Sequence, residues 1–308
     1  IFCTMEPQDL LFGIDLGGTK IEAVAITPTG RVLSRPRIPT EREKGYDHIV
    51  GQIKKALELV SAEVGVAAKK VGIGTPGAID PPTNLMKNSN TTVLNGRPFH
   101  IDVEKALGIP VVMANDANCF AVAEAKLGAA KAYTQGEHIV FGVIMGTGVG
   151  GGIVINGQVW SGAQGIGGEW GHSFLDKSGG ECYCGQVGCV ETVISGTALE
   201  RYYREKCGTH RKLHDIILEY ENGTEDELVN ETVERLIHFF GRGIANVINI
   251  LDPTAVVIGG GLSQVDLLYS KGVERVEQQL FNPRLHTPIL RPQLGDSAGV
   301  FGAAMLSL

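Results

Sequence analysis

The sequence predicts an α/β protein built from a duplicated unit. Apolar strand patterns alternate with amphipathic helical patterns along the 308 residues, which is typical of α/β folds. Two Gly-rich segments also resemble each other without gaps, LFGIDLGGTKIEAVAI from Leu11 and VFGVIMGTGVGGGIVI from Val140. Each segment predicts a strand, a tight turn and a second strand. Chance similarity of two hairpins is the alternative, but we expect two related domains, each opening with a Gly-rich hairpin.

The segments between and after the hairpins continue this alternation. A helix is predicted in GYDHIVGQIKKALELVSAEVG, a buried strand in KKVGIGTPG, and a strand, turn and helix in IPVVMANDANCFAVAEAKLGAA, where Asn115 or Asp116 suits the N-cap. The stretch EDELVNETVERLIHFFGRGIANVINIL predicts a long amphipathic helix, broken near Gly241 and Gly243. DPTAVVIGGGLS predicts a strand entering a Gly turn. The final GVFGAAMLSL predicts a short helix that folds back onto the first domain.

Composition excludes several classes of protein. Hydrophobic residues make up 43% of the chain, as in a globular protein, and the net charge of −7 argues against a nucleic-acid partner. No apolar run reaches the length needed to span a membrane. The opening IFCTMEPQDL lacks the basic and apolar regions of a signal peptide. We therefore expect a cytoplasmic protein, in which structural disulfides are rare.

Three Gly-rich turns are candidates for binding phosphate. In DLGGTK, Gly17 and Gly18 let backbone N–H groups approach an anion, Thr19 and Lys20 add donors, and Asp15 suits Mg²⁺. MGTGVGGG and IGGGLS supply two more turns. The G-x-G-x-x-G spacing in MGTGVGGG is followed by a strand pattern, so a Rossmann site is excluded. A plain hairpin explains one such turn, whereas three favour a nucleotide cleft between lobes.

Two further features carry chemistry. Asp116 lies between a strand and a helix, where its carboxylate suits a general base or, alternatively, a helix cap. CYCGQVGCVE places three cysteines within eight residues, at Cys182, Cys184 and Cys189. The cysteine spacing alone leaves a metal site, a disulfide and free thiols open.

These motifs together resemble the ROK family of sugar kinases. The resemblance covers residues 12 to 306 in family order and rests on DLGGTK, GTPGAID, NDANCFAVAEA, MGTGVGGG, GEWGH, CYCGQVGCVET and DPTAVVIGGGLS. It implies an actin-like, hexokinase-like (ribonuclease H-like) duplicated two-domain α/β fold with an interdomain cleft. The domain limits we expect are 1–116 with about 296–308, and 117–295 with the cysteine segment. It also implies a homodimer that binds ATP and a hexose, with no nucleic-acid or membrane partner.

The resemblance also implies roles for individual residues. Asp116 is expected to be the catalytic base that deprotonates the sugar hydroxyl. The expected sugar-binding set is Gly77, Asn90, Asn115, Asp116, Glu169, His172 and Glu191. The expected set for ATP and its Mg²⁺ is Asp15, Gly17, Gly18, Thr19, Lys20, Gly146, Thr147, Gly260 and Gly261.

The resemblance also favours a zinc site in the cysteine segment. His172 lies ten positions before Cys182, and with Cys184 and Cys189 it completes a set of three thiolates and one imidazole, which suits closed, structural Zn²⁺. Such a site would brace the sugar pocket, because Glu169 and Glu191 lie beside the ligands in sequence. His172 would serve both zinc and sugar through its two ring nitrogens.

The preferred sugar is the least certain inference. KNSNTTVLNGRPF, GEWGH and CYCGQVGCVETVISGT are most similar to the fructokinase and mannokinase branch, and NVINILDP and GGGLSQVDLLY favour the same branch. Fructose, phosphorylated at its 6-hydroxyl, is therefore the expected substrate. Val93 replaces a Trp that relatives often carry, and glucokinase or N-acetylglucosamine kinase are the alternatives. A non-catalytic sugar sensor is the alternative from another class. Repressors of the family are disfavoured because about 12 residues before the first strand are too few for a helix-turn-helix.

Overall fold

The computed structural model describes residues 10–308. The first nine residues, with the start of the predicted 1–116 domain and most of the segment examined for a signal peptide, lie outside this range. Contacts divide the chain into two compact units. The first runs to Ala132 and adds Gly152–Gly167 and Gln293–Leu308, and the second comprises Tyr133–Gly151 and Gly168–Pro292. These units interleave along the chain, and the domain limits expected from the sequence stay a prediction.

The first unit is built on a mixed sheet. Its strands are β1 (Leu11–Leu16), β2 (Lys20–Ile26), β3 (Val32–Ser34), β4 (Arg37–Pro39), β5 (Val71–Thr75) and β8 (Val111–Asn115), with the small pair β6 (Ala78–Ile79) and β7 (Met86–Lys87) apart from them. The sheet order is β3-β2-β1-β5-β8, and β4 pairs with β2. The helices of this unit are α1 (Tyr46–Val64), α2 (Phe99–Leu107), α3 (Asp116–Lys126) and α10 (Ala298–Met305).

The sheet register places the carboxyl ends of three strands together. β1 and β5 run parallel with Asp15 opposite Gly74, and β5 and β8 run parallel with Thr75 opposite Asn115. β2 returns antiparallel to β1, so the predicted first hairpin is confirmed. One edge of the sheet therefore carries Asp15, the DLGGTK turn and the start of α3.

Helices cover this sheet through apolar faces. The buried face of α1 repeats at helical spacing through Ile49, Ile53, Ala56, Leu57 and Val60. The C-terminal α10 packs directly on β1 and β5, which confirms that it folds back onto the first unit. A Cβ atom on Gly13 would lie 2.3 Å from the backbone nitrogen of Ala304, so glycine at this position allows the contact.

The remaining strands form a second sheet. They are β9 (Ile139–Met145), β10 (Val149–Ile155), β11 (Gln158–Val159), β12 (Ala255–Gly259) and β13 (Ile289–Leu290), in the order β11-β10-β9-β12-β13. The backbone N–H of Gly146 donates to the carbonyl of Gly148 at 2.9 Å and closes the turn between β9 and β10. The predicted second hairpin is therefore confirmed. The helices of the second unit are α4 (Val190–Ile194), α5 (Gly196–Cys207), α6 (Leu213–Glu221), α7 (Glu227–Leu251), α8 (Asp266–Tyr269) and α9 (Lys271–Glu277).

The long helix α7 departs from the sequence prediction. The break predicted near Gly241 and Gly243 is wrong, because α7 is continuous from Glu227 to Leu251. Both glycines instead let other groups approach the helix. A Cβ on Gly241 would lie 2.7 Å from Cβ of Arg275, and one on Gly243 would lie 2.8 Å from the indole of Trp170. Among residues 10–308, no helix is long and apolar enough to cross a membrane.

Candidate active site

The first Gly-rich turn is held by a backbone bond within the turn and by Thr40, which follows β4. Gly17 N–H donates to the carbonyl of Lys20 at 3.0 Å, which closes the turn after β1. Thr40 then binds the turn twice, since its N–H donates to the Thr19 carbonyl at 2.9 Å and its hydroxyl to the Gly17 carbonyl at 2.7 Å. Thr19 and Lys20 remain exposed. The turn is thus fixed from one side and open to a ligand on the other.

Asp15 is a perturbed carboxylate beside this turn. Burial, followed by the negative charges of Asp116 and Glu22, raises the pKa of Asp15 to about 6. Its carboxylate oxygens lie within 3.4 Å of where Cβ atoms on Gly74 and Gly299 would stand. Glycine at both positions leaves room for the carboxylate. A cation bound here would restore the charged form.

Asp116 is available for chemistry because its neighbour caps the helix. Asn115 is the N-cap of α3, and its side-chain oxygen accepts from the N–H of Asn118 at 2.8 Å. The Asp116 carboxylate accepts from the adjacent Ala117 N–H at 2.8 Å and from its own backbone N–H, and it is not used to cap the helix. Solvent reaches Asp116, yet the surrounding protein removes enough water to raise its pKa, which the Ala117 N–H opposes. Of the two residues that suit the N-cap in the sequence, Asn115 is therefore the one that caps α3.

The predicted sugar-loop residues lie beyond the same strands of the first unit. Gly77 follows β5, and a Cβ there would lie 2.6 Å from the Lys87 carbonyl, so no larger residue fits without a shift. Asn90 is exposed on the following loop, while Thr91 beside it is buried. Within the first unit, Gly77 and Asn115 therefore lie at the carboxyl ends of the parallel strands β5 and β8, while Asn90 follows β7 of the small antiparallel pair.

In the second unit, Glu169, His172 and Glu191 gather around Tyr183. The Tyr183 hydroxyl lies 2.9 Å from Nε2 of His172. Partial desolvation of this hydroxyl, together with the charges of Glu191, Cys182 and Glu169, raises the pKa of Tyr183 to about 12, although the residue as a whole is 83% exposed. The sequence analysis missed Tyr183, yet its position between two predicted metal ligands was a signal that its backbone would be fixed.

The cysteine segment and His172 bring together four side chains that could hold a metal ion. The ligand atoms of His172, Cys182, Cys184 and Cys189 all lie within 4.8 Å of one another. Cys182 Sγ is 3.6 Å from His172 Nδ1, and Cys184 Sγ is 3.6 Å from Cys189 Sγ. Zn–S bonds of about 2.3 Å in a tetrahedron require sulfur atoms about 3.8 Å apart, so the donor set fits zinc.

Two glycines shape the loop that carries the three cysteines. Gly185 and Gly188 have φ values of 87° and 78°, in the region that glycine enters most easily. The N–H of Gly185 donates to the Cys182 carbonyl at 2.9 Å, which folds the chain back between the ligands. His172 Nδ1 faces the thiols while Nε2 faces Tyr183, so the two ring nitrogens do have separate surroundings.

The second and third Gly-rich turns meet at a cavity of about 560 Å³ within the second unit. Gly146, Thr147 and Gly261 all line it. Gly260 does not line it, but its φ of 76° and its close approach to the Met145 carbonyl require glycine there. The sequence analysis missed other lining residues, among them Gly196, Thr197, Lys212 and His214.

The start of α5 is tied to the second turn. Gly196 N–H donates to the Gly146 carbonyl at 2.7 Å, and the Thr197 hydroxyl donates to the Thr147 carbonyl at 2.6 Å. Ser195 caps α5 by accepting from Ala198 N–H at 3.1 Å. The SGT sequence after α4 was a cap signal. A cavity of this size with glycine turns on its wall suits a nucleoside and its phosphates.

Comparison with known proteins identifies the family. Residues 11–308 match the sequence profile of the ROK family. The chain belongs to the ROK family of sugar kinases. The ROK chain is 36% identical to an N-acetyl-D-glucosamine kinase from Aliivibrio salmonicida, over 97% of this chain and 100% of that protein. An N-acetyl-D-glucosamine kinase from Vibrio cholerae is also 36% identical over the same shares of the two chains.

Solved structures of ROK proteins share the fold. The ROK hexokinase from Thermus thermophilus matches with a TM-score of 0.86 and 33% identity, covering 97% of each chain. A ROK family glucokinase from Streptomyces griseus, solved with glucose and AMPPNP, matches with a TM-score of 0.75 and 31% identity, covering 97% of this chain and 99% of that one. The predicted actin-like, hexokinase-like fold is therefore confirmed.

Proposed function

We propose that this ROK kinase transfers the γ-phosphate of ATP to the 6-hydroxyl of N-acetylglucosamine. The names of the full-length relatives favour this substrate, which was an alternative in the sequence analysis, and they do not support the expected fructokinase. The segments that favoured fructose in the sequence analysis, among them the cysteine segment and GGGLSQVDLLY, therefore assigned the family correctly but not its preferred sugar.

The observation that carries the proposed chemistry is the state of Asp116. It is solvent-accessible, it is not needed as the helix cap, and desolvation raises its pKa, which makes its carboxylate a stronger base. Asp116 would accept the proton of the sugar 6-hydroxyl as the oxygen attacks phosphorus. The new O–P bond forms while the bond from the γ-phosphorus to the bridging oxygen breaks, and ADP leaves with that oxygen.

The glycine turns would hold ATP. Gly17, Gly18 and Thr19 on one turn and Gly146 and Thr147 on the other offer backbone or hydroxyl donors to phosphate oxygens. Lys20 adds a positive charge and Asp15 suits the Mg²⁺ that accompanies ATP. The cavity beside Gly261, with Gly260 shaping its rim, would take the nucleoside.

Sugar recognition would use the polar groups already described. The candidates in the second unit are Glu169, His172 and Glu191. Those in the first unit are Asn90 and Asn115, with Gly77 keeping its loop compact. A sugar is bound by many oriented hydrogen bonds, and sites that bind each hydroxyl reject analogues that lack it. This set of carboxylate, amide and imidazole groups therefore suits a hexose.

We also infer that the Cys182, Cys184, Cys189 and His172 set holds a structural Zn²⁺. Four protein ligands would leave no open coordination position, so the ion would brace the loop and supply no step of the reaction. The brace would fix Glu169 and Glu191, which lie close to the ligands in sequence. Tyr183, bonded to Nε2, would hold the imidazole in the orientation that presents Nδ1 to the metal, and a sugar hydroxyl would take the place of Tyr183 at Nε2.

The proposed function is tested by identifying the product. The protein is incubated with Mg-ATP and N-acetylglucosamine, ADP release is followed by a coupled assay, and the product is examined by ³¹P NMR. We expect ADP in step with a sugar 6-phosphate. Sugar binding by calorimetry without ADP release would contradict the kinase and favour the sugar sensor. The homodimer that the family resemblance implies is checked separately by light scattering.

A further inference from the structure

Arg42 lies over the first Gly-rich turn. Its Nη1 atom is 3.4 Å from the point where a Cβ on Gly18 would stand, and the hydroxyl oxygen of Thr91 is 3.9 Å from the same point. Gly18 belongs to the proposed phosphate turn, and Thr91 follows Asn90 on the proposed sugar loop. The guanidinium group therefore lies where these two segments of the first unit meet.

The backbone fixes the position of Arg42. Thr40, two residues earlier, is bonded to both the Gly17 and the Thr19 carbonyls of the turn. Glu41 then adopts φ 51°, a conformation uncommon for a residue other than glycine, and Arg42 begins a short 3-10 helix that ends at Lys44. Because Thr40 is bonded to the turn, the backbone of Arg42, two residues later, is held beside the turn.

Arg42 also keeps its donors free. The neighbouring carboxylate of Glu41 is already bonded to Lys44 Nζ at 2.6 Å and to His48 Nε2 at 2.8 Å. Within residues 10–308, the exposed Arg42 guanidinium makes no side-chain hydrogen bond or ion pair. A guanidinium presents five N–H donors in a planar fork that matches phosphate oxygens.

Two carboxylates and one lysine already lie near this position. Asp15 and Asp116 share this edge of the sheet, and the charge of Asp116 contributes to the raised pKa of Asp15, which the charge of Lys20 opposes. Phosphoryl transfer also spreads negative charge over the three outer oxygens of the transferred group. Between a phosphate turn and a sugar loop, the group that would be within reach is the terminal phosphate.

We propose that Arg42 binds the terminal phosphate of ATP and stabilises it during transfer to the sugar. The proposal rests on the proposed kinase function. Arg42 stays protonated throughout and forms no covalent bond, so its contribution is electrostatic and directional. The guanidinium, which comes from the same chain as the turn, would stabilise the charge of the transferred phosphate together with the backbone N–H donors of that turn.

Kinetics provide the first test. Arg42→Ala is expected to lower kcat by about 10- to 1000-fold. This loss is smaller than that for the strongest catalytic arginines, because solvent reaches the site. The sugar KM should stay within about threefold. Arg42→Lys should recover part of kcat, and free guanidinium should partly rescue Arg42→Ala. Lys44→Ala, on the same 3-10 helix but engaged with Glu41, is the matched control and should retain wild-type kcat. A kcat within twofold of wild type for Arg42→Ala would overturn the proposal.

Nucleotide binding provides a second test that needs no sugar. Calorimetry measures the affinities of the wild type and of Arg42→Ala for Mg-ATP and Mg-ADP. Comparing the two nucleotides isolates the contribution of the terminal phosphate to binding. The variant should lose about three- to tenfold in affinity for ATP and little for ADP, as expected for one charge-assisted contact. An unchanged ratio of the two affinities would contradict the role of Arg42. Absence of sugar phosphorylation by the wild type would instead contradict the proposed function, while this comparison still decides the phosphate contact.

Discussion

The carboxylate of Glu191 accepts a hydrogen bond from the backbone N–H of Val149 at 2.9 Å. Val149 follows the turn that carries Gly146 and Thr147, and Glu191 lies two residues after Cys189. A Cβ on Gly148 would stand 2.5 Å from the same carboxylate oxygen, so glycine keeps the contact close. One side chain thus joins the proposed phosphate turn to the cysteine segment and to the proposed sugar site.

Replacement of Glu191 should separate its two roles. In Glu191→Ala, the buried Val149 N–H loses its partner, so we expect a loss of about 1 to 3 kcal/mol in the free energy of unfolding and a raised sugar KM. Glu191→Gln keeps an acceptor oxygen for Val149, so it should retain stability while still weakening sugar binding. Urea unfolding and steady-state kinetics measure the two effects. Equal loss of stability in both variants would contradict this account.

Asp116 and Asn115 should give opposite results despite being adjacent. Asp116→Asn removes the proposed base but not the cap, so kcat should fall by at least about 100-fold with little change in Tm. Asn115→Ala removes the side chain that accepts from Asn118 N–H and should cost about 1 kcal/mol of stability. Kinetics and thermal unfolding of the two variants check this. Near-full activity of Asp116→Asn would show that another group takes the proton.

Asp15 should make the free protein less stable as the pH rises. Its pKa of about 6 in the folded state exceeds the ordinary 3.8, so between these values the unfolded chain has released a proton that the folded chain still holds. Its contribution to stability is therefore lost progressively from pH 4 to pH 6, by roughly 3 kcal/mol at 1.36 kcal/mol per pH unit.

The pH effect is tested with Asp15→Asn. This variant should gain more stability over the wild type at pH 7 than at pH 4 in urea unfolding, while losing kinase activity. Asp47→Asn, on the exposed side of α1, controls for removal of a negative charge. An equal stability difference at the two pH values would contradict the burial argument.

Zinc removal should affect sugar binding through the loop. The wild type should contain one Zn²⁺ per chain by elemental analysis, and Cys184→Ala should lose most of it, together with several kcal/mol of stability and about tenfold or more in sugar KM. Cys207→Ala removes an exposed, isolated thiol and is the matched control. Absence of zinc from the wild type, or a normal sugar KM and stability in Cys184→Ala, would contradict the brace.

The sequence predicted the elements whose signals are local. The two hairpins, the buried strand before Gly77 and the apolar C-terminal helix follow from residue patterns, and they are confirmed. The continuity of α7 could not be predicted, because Gly241 and Gly243 look like helix breakers until Arg275 and Trp170 are seen to pack against them. Local signals therefore sufficed for strands and helices but not for long-range contacts.

The candidate site was predicted in part for the same reason. The glycine turns, Asp116 and the ligand loop have sequence signatures of their own. Arg42 has none, and Tyr183 is marked only by its position between two predicted ligands, because the proposed roles of both depend on which atoms the fold brings beside them. The cap also remained undecided between Asn115 and Asp116, because both side chains suit that position until the hydrogen bond to Asn118 N–H is observed.

The central claim is that this ROK protein phosphorylates N-acetylglucosamine. The most direct measurement is kcat/KM for N-acetylglucosamine, glucose, mannose and fructose under identical conditions with Mg-ATP. The account predicts the highest value for N-acetylglucosamine, by about tenfold or more over each of the others. A highest value for fructose, or no ADP release with any of the four sugars, would contradict it.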